Sequence, residues 1–186
     1  MRKSFILLLI TLLLTGCSNK NNELDRMMEF RASLLSGMGC SFRAVVTADY
    51  QTEQYQFTMD CRGDEQGNLQ FTISEPNSIS GISGGISGEG GKLTFDDDQA
   101  LAFETMADGQ ITPVTAPWLL VKTLRGGYVT SCGTEEDLLR VSIDDCYEED
   151  ALRLDVWFID DKPAHAEVLW ENRRVLSLDV TNFEIL

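Results

Sequence analysis

The sequence predicts an α+β domain that is mostly antiparallel β. One sheet of about eleven strands curls, and two or three helices cover its apolar face. Three observations carry this. The last fifty residues alternate apolar and polar side chains in hairpin registers that agree with one another. Two segments, 23–36 and 117–125, carry apolar residues at helical spacing and run into glycines. At 186 residues, 43% hydrophobic and with three Trp, the chain is long and apolar enough to bury one core and too apolar to be disordered.

The first sixteen residues stand outside that domain. Arg2 and Lys3 precede the apolar run Phe5 to Leu14, which ends in Leu14-Thr15-Gly16-Cys17. Ten residues are too few to cross a bilayer as a helix, which needs ~20, but they suit the core of an export signal. The ending looks like a bacterial lipobox, in which the Cys17 thiol is acylated, with palmitate among the acyl groups, and the chain is cut before it. A plain secretory signal with a coincidental cysteine is the alternative. Residues 1–16 are thus a lipoprotein signal peptide, 17–22 a lipidated tether and 23–186 the folded domain. Two or more acyl chains give stable attachment. Removal of Arg2 and Lys3 moves the formal charge from -15 to -17. The lipid, not a basic patch, therefore holds the protein to a bacterial membrane, either the outer face of the cell membrane or an outer membrane.

Cys40, Cys61, Cys132 and Cys146 remain, an even number in an exported chain. Residues 41–49 and 54–61 read as a hairpin with Phe42 facing Met59, Ala44 facing Phe57 and Val46 facing Tyr55. That register sets Cys40 opposite Cys61, which predicts a disulfide between them and leaves Cys132 with Cys146 by subtraction. Zinc is the rival reading, and no CxxC pair supports it.

The elements follow in order. In 23–36 a stripe of Leu24, Met27, Met28, Leu34 and Leu35, with Met38 beyond, recurs at spacings of three and four. Asn22 and Asp25 resemble a capping box, and Gly37 and Gly39 stop the helix. Residues 68–74 pair back on 54–61, with Met59 facing Leu69, Phe57 facing Phe71 and Tyr55 facing Ile73. Ser78 to Gly91 sets Ile79, Ile82 and Ile86 among Gly and Ser; a helix is costly there, so it reads as a bulged strand approached closely by another backbone. A phosphate loop is the alternative, but neither the P-loop Lys-Ser/Thr nor a GxGxxG order is present. Lys92–Phe95 and Ala100–Phe103 form a hairpin around Asp96-Asp97-Asp98, a solvated tip or a calcium site. Pro117 opens the second helix, and Lys122 and Arg125 suit its last turn. The closing meander pairs Leu139 with Phe158, Val141 with Val156 and Ile143 with Leu154. It then pairs Val156 with Ala166, Leu154 with Val168 and Leu152 with Trp170, and finally Val168 with Leu178, Ala166 with Val180 and Trp170 with Leu176. A one-residue slip would move a whole apolar row into water. Trp157 and Leu169 are exceptions on the polar side.

This order resembles the LolA/LolB lipoprotein-carrier superfamily, with its LppX-, RseB- and GerS-type envelope members. A leading helix, strand hairpins, a Pro-led helix at Ala116-Pro117-Trp118 and a closing meander carry the likeness. The meander's segments are Lys162-Pro163-Ala164-His165-Ala166-Glu167-Val168-Leu169-Trp170 and Val175-Leu176-Ser177-Leu178-Asp179-Val180-Thr181-Asn182-Phe183. The resemblance implies an unclosed (half) β-barrel whose concave face is capped by helices and binds acyl chains or lipids, or senses the state of the envelope. The lipid anchor is closer to LolB, LppX or GerS than to soluble LolA. Two disulfides are not general in the family.

Two functions compete. One shelters a lipid or other apolar ligand between sheet and helices, worth ~0.8 kcal/mol per buried CH₂. Phe57, Phe71, Trp118, Leu124 and Trp170 are its candidate lining. The other is a protein-interaction module of the envelope with a packed core, contacting a partner through the Trp157 and Leu169 side or an exposed strand edge. An acidic chain is unsuited to nucleic acid, which draws on clustered cations. No motif calls for a cofactor or metal. With one histidine, His165, and only a solvated carboxylate cluster at Glu148-Glu149-Asp150, no catalytic set stands out.

Overall fold

The computed structural model describes residues 22–50, 52–88, 91–96, 101 and 103–186. Among the described residues ten strands form one antiparallel sheet: β1 (Gly39–Asp49), β2 (Gln54–Asp64), β3 (Leu69–Glu75), β4 (Ser83–Ser87), β5 (Lys92–Phe95), β6 (Tyr128–Glu135), β7 (Leu138–Asp144), β8 (Arg153–Ile159), β9 (Lys162–Trp170) and β10 (Arg173–Ile185). Their spatial order is β5-β4-β3-β2-β1-β10-β9-β8-β7-β6. Two meanders, β1–β5 and β6–β10, are therefore joined by one long-range pairing, β1 with β10, in which Ala44 faces Val180 and Val46 faces Leu178. The sheet is curved and does not close. Helices α1 (Asn22–Ser36) and α2 (Ala116–Gly126) pack into its hollow, α2 entered through a 3₁₀ turn at Pro113–Thr115.

Alternation decides which face is inside. Leu139, Val141 and Ile143 on β7, Leu154, Val156 and Phe158 on β8, and Ala166 and Val168 on β9 are buried, and the intervening residues point outward. The β7–β8 register is as the alternation predicts, Leu139 to Phe158 and Ile143 to Leu154, and so are Val156 to Ala166 and Leu154 to Val168 between β8 and β9. Two-residue turns with positive φ at Glu136-Asp137, Asp160-Asp161 and Glu171-Asn172 close three hairpins, matching the right-handed strand twist.

Other expectations are corrected. Residues 101 and 103–105 form no strand, and Ala100 lies outside the described residues. Instead Phe103 stacks on Phe57, with ring centroids 5.2 Å apart. Between β1 and β2 the register is displaced by two: Ala44 faces Met59, Val46 faces Phe57 and Phe42 faces Cys61, while Cys40 faces Gly63. β2 and β3 are displaced by four, with Met59 facing Ile73 and Cys61 facing Phe71. β9 and β10 are displaced by two, with Val168 facing Leu176 and Ala166 facing Leu178. Even displacements keep every side chain on its face, so the alternation holds in both registers. α1 buries Met27, Phe30 and Leu34, not the whole expected stripe; Leu24, Met28, Leu35 and Met38 are exposed. Full burial of three such side chains is worth ~1.5–3 kcal/mol each.

Candidate functional site

The hollow of the half-barrel, where a ligand is expected, is occupied by the protein itself. Trp118, Leu119, Leu120, Val121 and Leu124 make α2 apolar on nearly every side, because sheet, α1 and loops surround it. Phe57, Phe71 and Leu124 are 1, 3 and 0% exposed within this core. From α1, Phe30 meets Phe158 edge-on at 5.2 Å and Phe183 at 5.8 Å. Three of the five candidate lining residues are thus core packing. Trp170 is half-buried at the core's margin. Trp118, 9% exposed, reaches a surface opening.

That opening is a groove of about 420 Å³ lined by Leu35 of α1, Trp118, Lys122, Arg125 and Gly126 of α2, and Gly67, Asn68 and Gly88 of two β-turn loops. Trp118 lies under the Lys122 ammonium, 5.4 Å from the ring centroid. A Cβ on Gly91 would come within 2.7 Å of the Trp118 ring, so only glycine lets that backbone close over the indole. Arg125 donates to the carbonyl oxygens of Leu34 (3.2 Å) and Glu65 (2.6 Å), tying both walls to α2. The groove combines an aromatic floor with Arg125 and with Lys122, whose ammonium also pairs with Asp145 at 3.4 Å.

A second depression, about 810 Å³, runs across the outer face of β10, β1, β2, β3, β4 and β5. It is polar, with Arg43, Asp60, Arg62, Gln70, Thr72 and Glu184 on its surface. Arg43 grips Asp60 through two hydrogen bonds of 2.8 and 3.2 Å. Further along the outer face, Trp157 is explained without a partner. Its Nε1–H donates to Glu135 at 2.9 Å, and the Arg140 guanidinium lies 5.0 Å from the centre of its ring. Arg140 also pairs at 2.7 Å with Asp155, which is 4% exposed and stands directly opposite Glu167. His165 contacts Asp179 at 2.7 Å. Leu169 is half-buried beside these groups.

The four cysteines of the domain are free thiols. The observed register makes Cys40 and Cys61 diagonal neighbours, whose Cβ atoms lie ~7 Å apart or somewhat less rather than the ~3.8 Å of a disulfide. Burial pushes both thiols above the ordinary cysteine range, which keeps them protonated and unreactive. Cys132 faces Val141, and the tight Glu136-Asp137 turn carries Cys146 into the loop beyond Asp144. Of the Asp96-Asp97-Asp98 tip, Asp96 accepts from the Ser83 hydroxyl at 3.1 Å, and the other two lie outside the described residues, as does Cys17. Glu148, Glu149 and Asp150 are exposed on a loop.

An open, helix-filled half-barrel behind a lipobox defines an exported, lipid-anchored protein of a bacterial membrane. Residues 1–18 match the prokaryotic membrane lipoprotein lipid attachment site. No curated protein matches the chain. Among solved structures it is similar to an uncharacterised conserved protein from Thermus thermophilus (11% identity, 89% of this chain and 88% of that one, TM-score 0.44). It is also similar to a LolA superfamily protein from Nitrosomonas europaea (11% identity, 87% and 93%, TM-score 0.41). A third is the lipoprotein LppX from Mycobacterium tuberculosis (11% identity, 89% and 96%, TM-score 0.40).

Proposed function

We propose that this lipoprotein is a non-enzymatic interaction module of the cell envelope, acting through its surfaces rather than by carrying a ligand inside the half-barrel. The observation that supports this reading is the filled hollow: Phe57, stacked on Phe103, and Leu124 of α2 are both buried in one core cluster. On this reading an acyl chain entering the hollow would have to displace side chains that are already buried there. The side chains with acid–base chemistry favour the same reading, since His165 is hydrogen-bonded to Asp179, and Asp155, Glu167 and Asp60 are each paired with an arginine on the outer sheet face.

One observation favours the ligand reading in a narrower form. The Trp118 groove is within the ~300–1,000 Å³ range of small-molecule sites and joins an apolar floor to Lys122 and Arg125, the chemistry of an anionic amphiphile. Native mass spectrometry of the full lipoprotein from its own cells separates the two. The interaction reading predicts the mass of the acylated chain, free of additional lipid, and cross-linking in cells to one stoichiometric envelope protein. A co-purifying lipid lost on Trp118→Ala would replace it with the groove reading.

A further inference from the structure

The first element after the lipid anchor carries a second apolar stripe. Met27, Phe30 and Leu34 use the inward side of α1, yet Leu24, Met28 and Leu35 recur four and seven residues apart on one flank and are 44, 46 and 51% exposed. Three large apolar side chains in a row at solvent are out of place on so acidic a chain. Their position relative to the anchor gives them a partner. Only Cys17 to Asn21 separates the acylated residue from Asn22, and five residues span at most ~18 Å. The helix itself is about 22 Å long. An acylated Cys17 therefore keeps the whole of α1 close to the bilayer, at a high effective concentration.

Charge points the same way. Leu35, at the far end of the stripe, rims the groove that holds Arg125 and Lys122, the latter paired with the Asp145 carboxylate at 3.4 Å, so Arg125 is the cation this edge offers to lipid. Arg125 and the adjoining Arg31 donate to carbonyl oxygens of Leu34, Glu65, Leu124 and Thr123, so these hydrogen bonds bring them no neutralising carboxylate. Asp25 and Glu29 sit one position beyond Leu24 and Met28, about 100° further round the helix. The flank can thus meet lipid while those carboxylates stay in water.

We infer that α1 lies along the lipid surface, setting Leu24, Met28 and Leu35 into the boundary between headgroups and acyl chains, with Arg125 toward the phosphates. The inference does not depend on whether the groove takes a ligand. It orients the molecule: the helix side faces the membrane, and the outer sheet face with Arg43, Arg62 and Trp157 faces away, open to other envelope proteins.

The test uses the full lipoprotein in phosphatidylcholine vesicles with brominated acyl chains, which quench tryptophan only on contact. Met28→Trp places the probe on the flank, and Thr72→Trp places it on the outer sheet face; emission of the unsubstituted protein is subtracted from each. The expected result is that the Met28→Trp signal falls at least twofold and that of Thr72→Trp is unchanged. Adding Leu24→Glu and Leu35→Glu, both at exposed positions, should abolish the quenching while the acyl chains keep the protein on the vesicle. Equal quenching of the two probes overturns the inference. So does quenching that survives the two glutamates, which reports the tether alone. Protection of Met28→Trp that appears only with a second protein, or only at high protein-to-lipid ratio, assigns the stripe to a protein contact and also overturns it.

Discussion

Asp155 is the residue at which sequence and structure interact most sharply. It occupies an outward position of β8, where alternation calls for a polar side chain, yet it is nearly inaccessible and faces Glu167 across the ladder. What makes this tolerable is Arg140, at 2.7 Å. Among the described residues Asp155 Oδ1 and Arg140 Nε lack partners, so the pair is incompletely satisfied. Removing the cation leaves a buried carboxylate next to another carboxylate. Arg140→Ala is expected to destabilise the fold by about 3 kcal/mol, at the low end for a broken buried pair because Arg140 is itself partly exposed. Asp155→Asn in that background should recover much of the loss. Urea unfolding of the two variants measures both steps. Asp64 behaves oppositely. Burial acts to raise its carboxyl, but hydrogen bonds from the Asn68 amide, the Asn68 and Gln66 backbone N–H groups and the Gly67 N–H outweigh it, and the group titrates below the usual carboxylate range. Its stabilisation is therefore complete above the unfolded carboxylate pKa and fades as pH falls through the folded one. Wild type minus Asp64→Ala stability, followed by urea unfolding, should be largest near neutrality and shrink toward pH 3. A difference that grows on acidification would contradict this assignment.

At the scale of elements, what the sequence discloses depends on how local the deciding interaction is. The faces of β7, β8 and β9 are legible because Leu139, Val141 and Ile143 alternate strictly with polar residues, and between β8 and β9 the two-residue Asp160-Asp161 turn ties the register as well. β1 with β2 is legible only to parity. Shifting Ala44 from Phe57 to Met59 keeps every side chain on its face, so alternation alone does not choose between the two registers. The disulfide expected between Cys40 and Cys61 depended on that choice. The α1 stripe fails for a related reason: spacing of three and four is met by two flanks of one helix, and only tertiary contact shows that Met27, Phe30 and Leu34 go inward. The close backbone approach expected in the Gly-rich segment is present at Gly84, where a Cβ would stand 2.3 Å from the Thr94 carbonyl oxygen and 3.0 Å from the Phe71 ring. Gly84→Ala should therefore detach β5 from β4. Hydrogen exchange would show the amides of Lys92–Phe95 losing protection while those of β7 and β8 keep theirs. Loss of protection throughout would mean that the sheet edge is not an independent unit.

For the whole molecule, the deciding feature is the pairing of β1 with β10. It joins two local meanders into one curved wall and creates a hollow that something must fill. No alternation pattern in either meander announces that pairing, since it depends on the two halves meeting. The resemblance to the lipoprotein-carrier superfamily pointed to the half-barrel and its helices, and the lipobox to the anchor. Of the candidate lining, Phe57, Phe71 and Leu124 have the apolar character of ligand contacts, but the same character serves a core, where Phe57 stacks on Phe103 and Phe71 meets Phe95 edge-on.

The account rests on a hollow packed by the protein itself, and Leu124, fully buried at the centre of it, reports on that directly. Equilibrium urea unfolding of Leu124→Ala is predicted to show a loss of about 3 kcal/mol, within the range for truncating a leucine in a well-packed core. A loss below ~1 kcal/mol with unchanged m-value would mean that Leu124 borders empty space, and would contradict the account in favour of a ligand-carrying cavity.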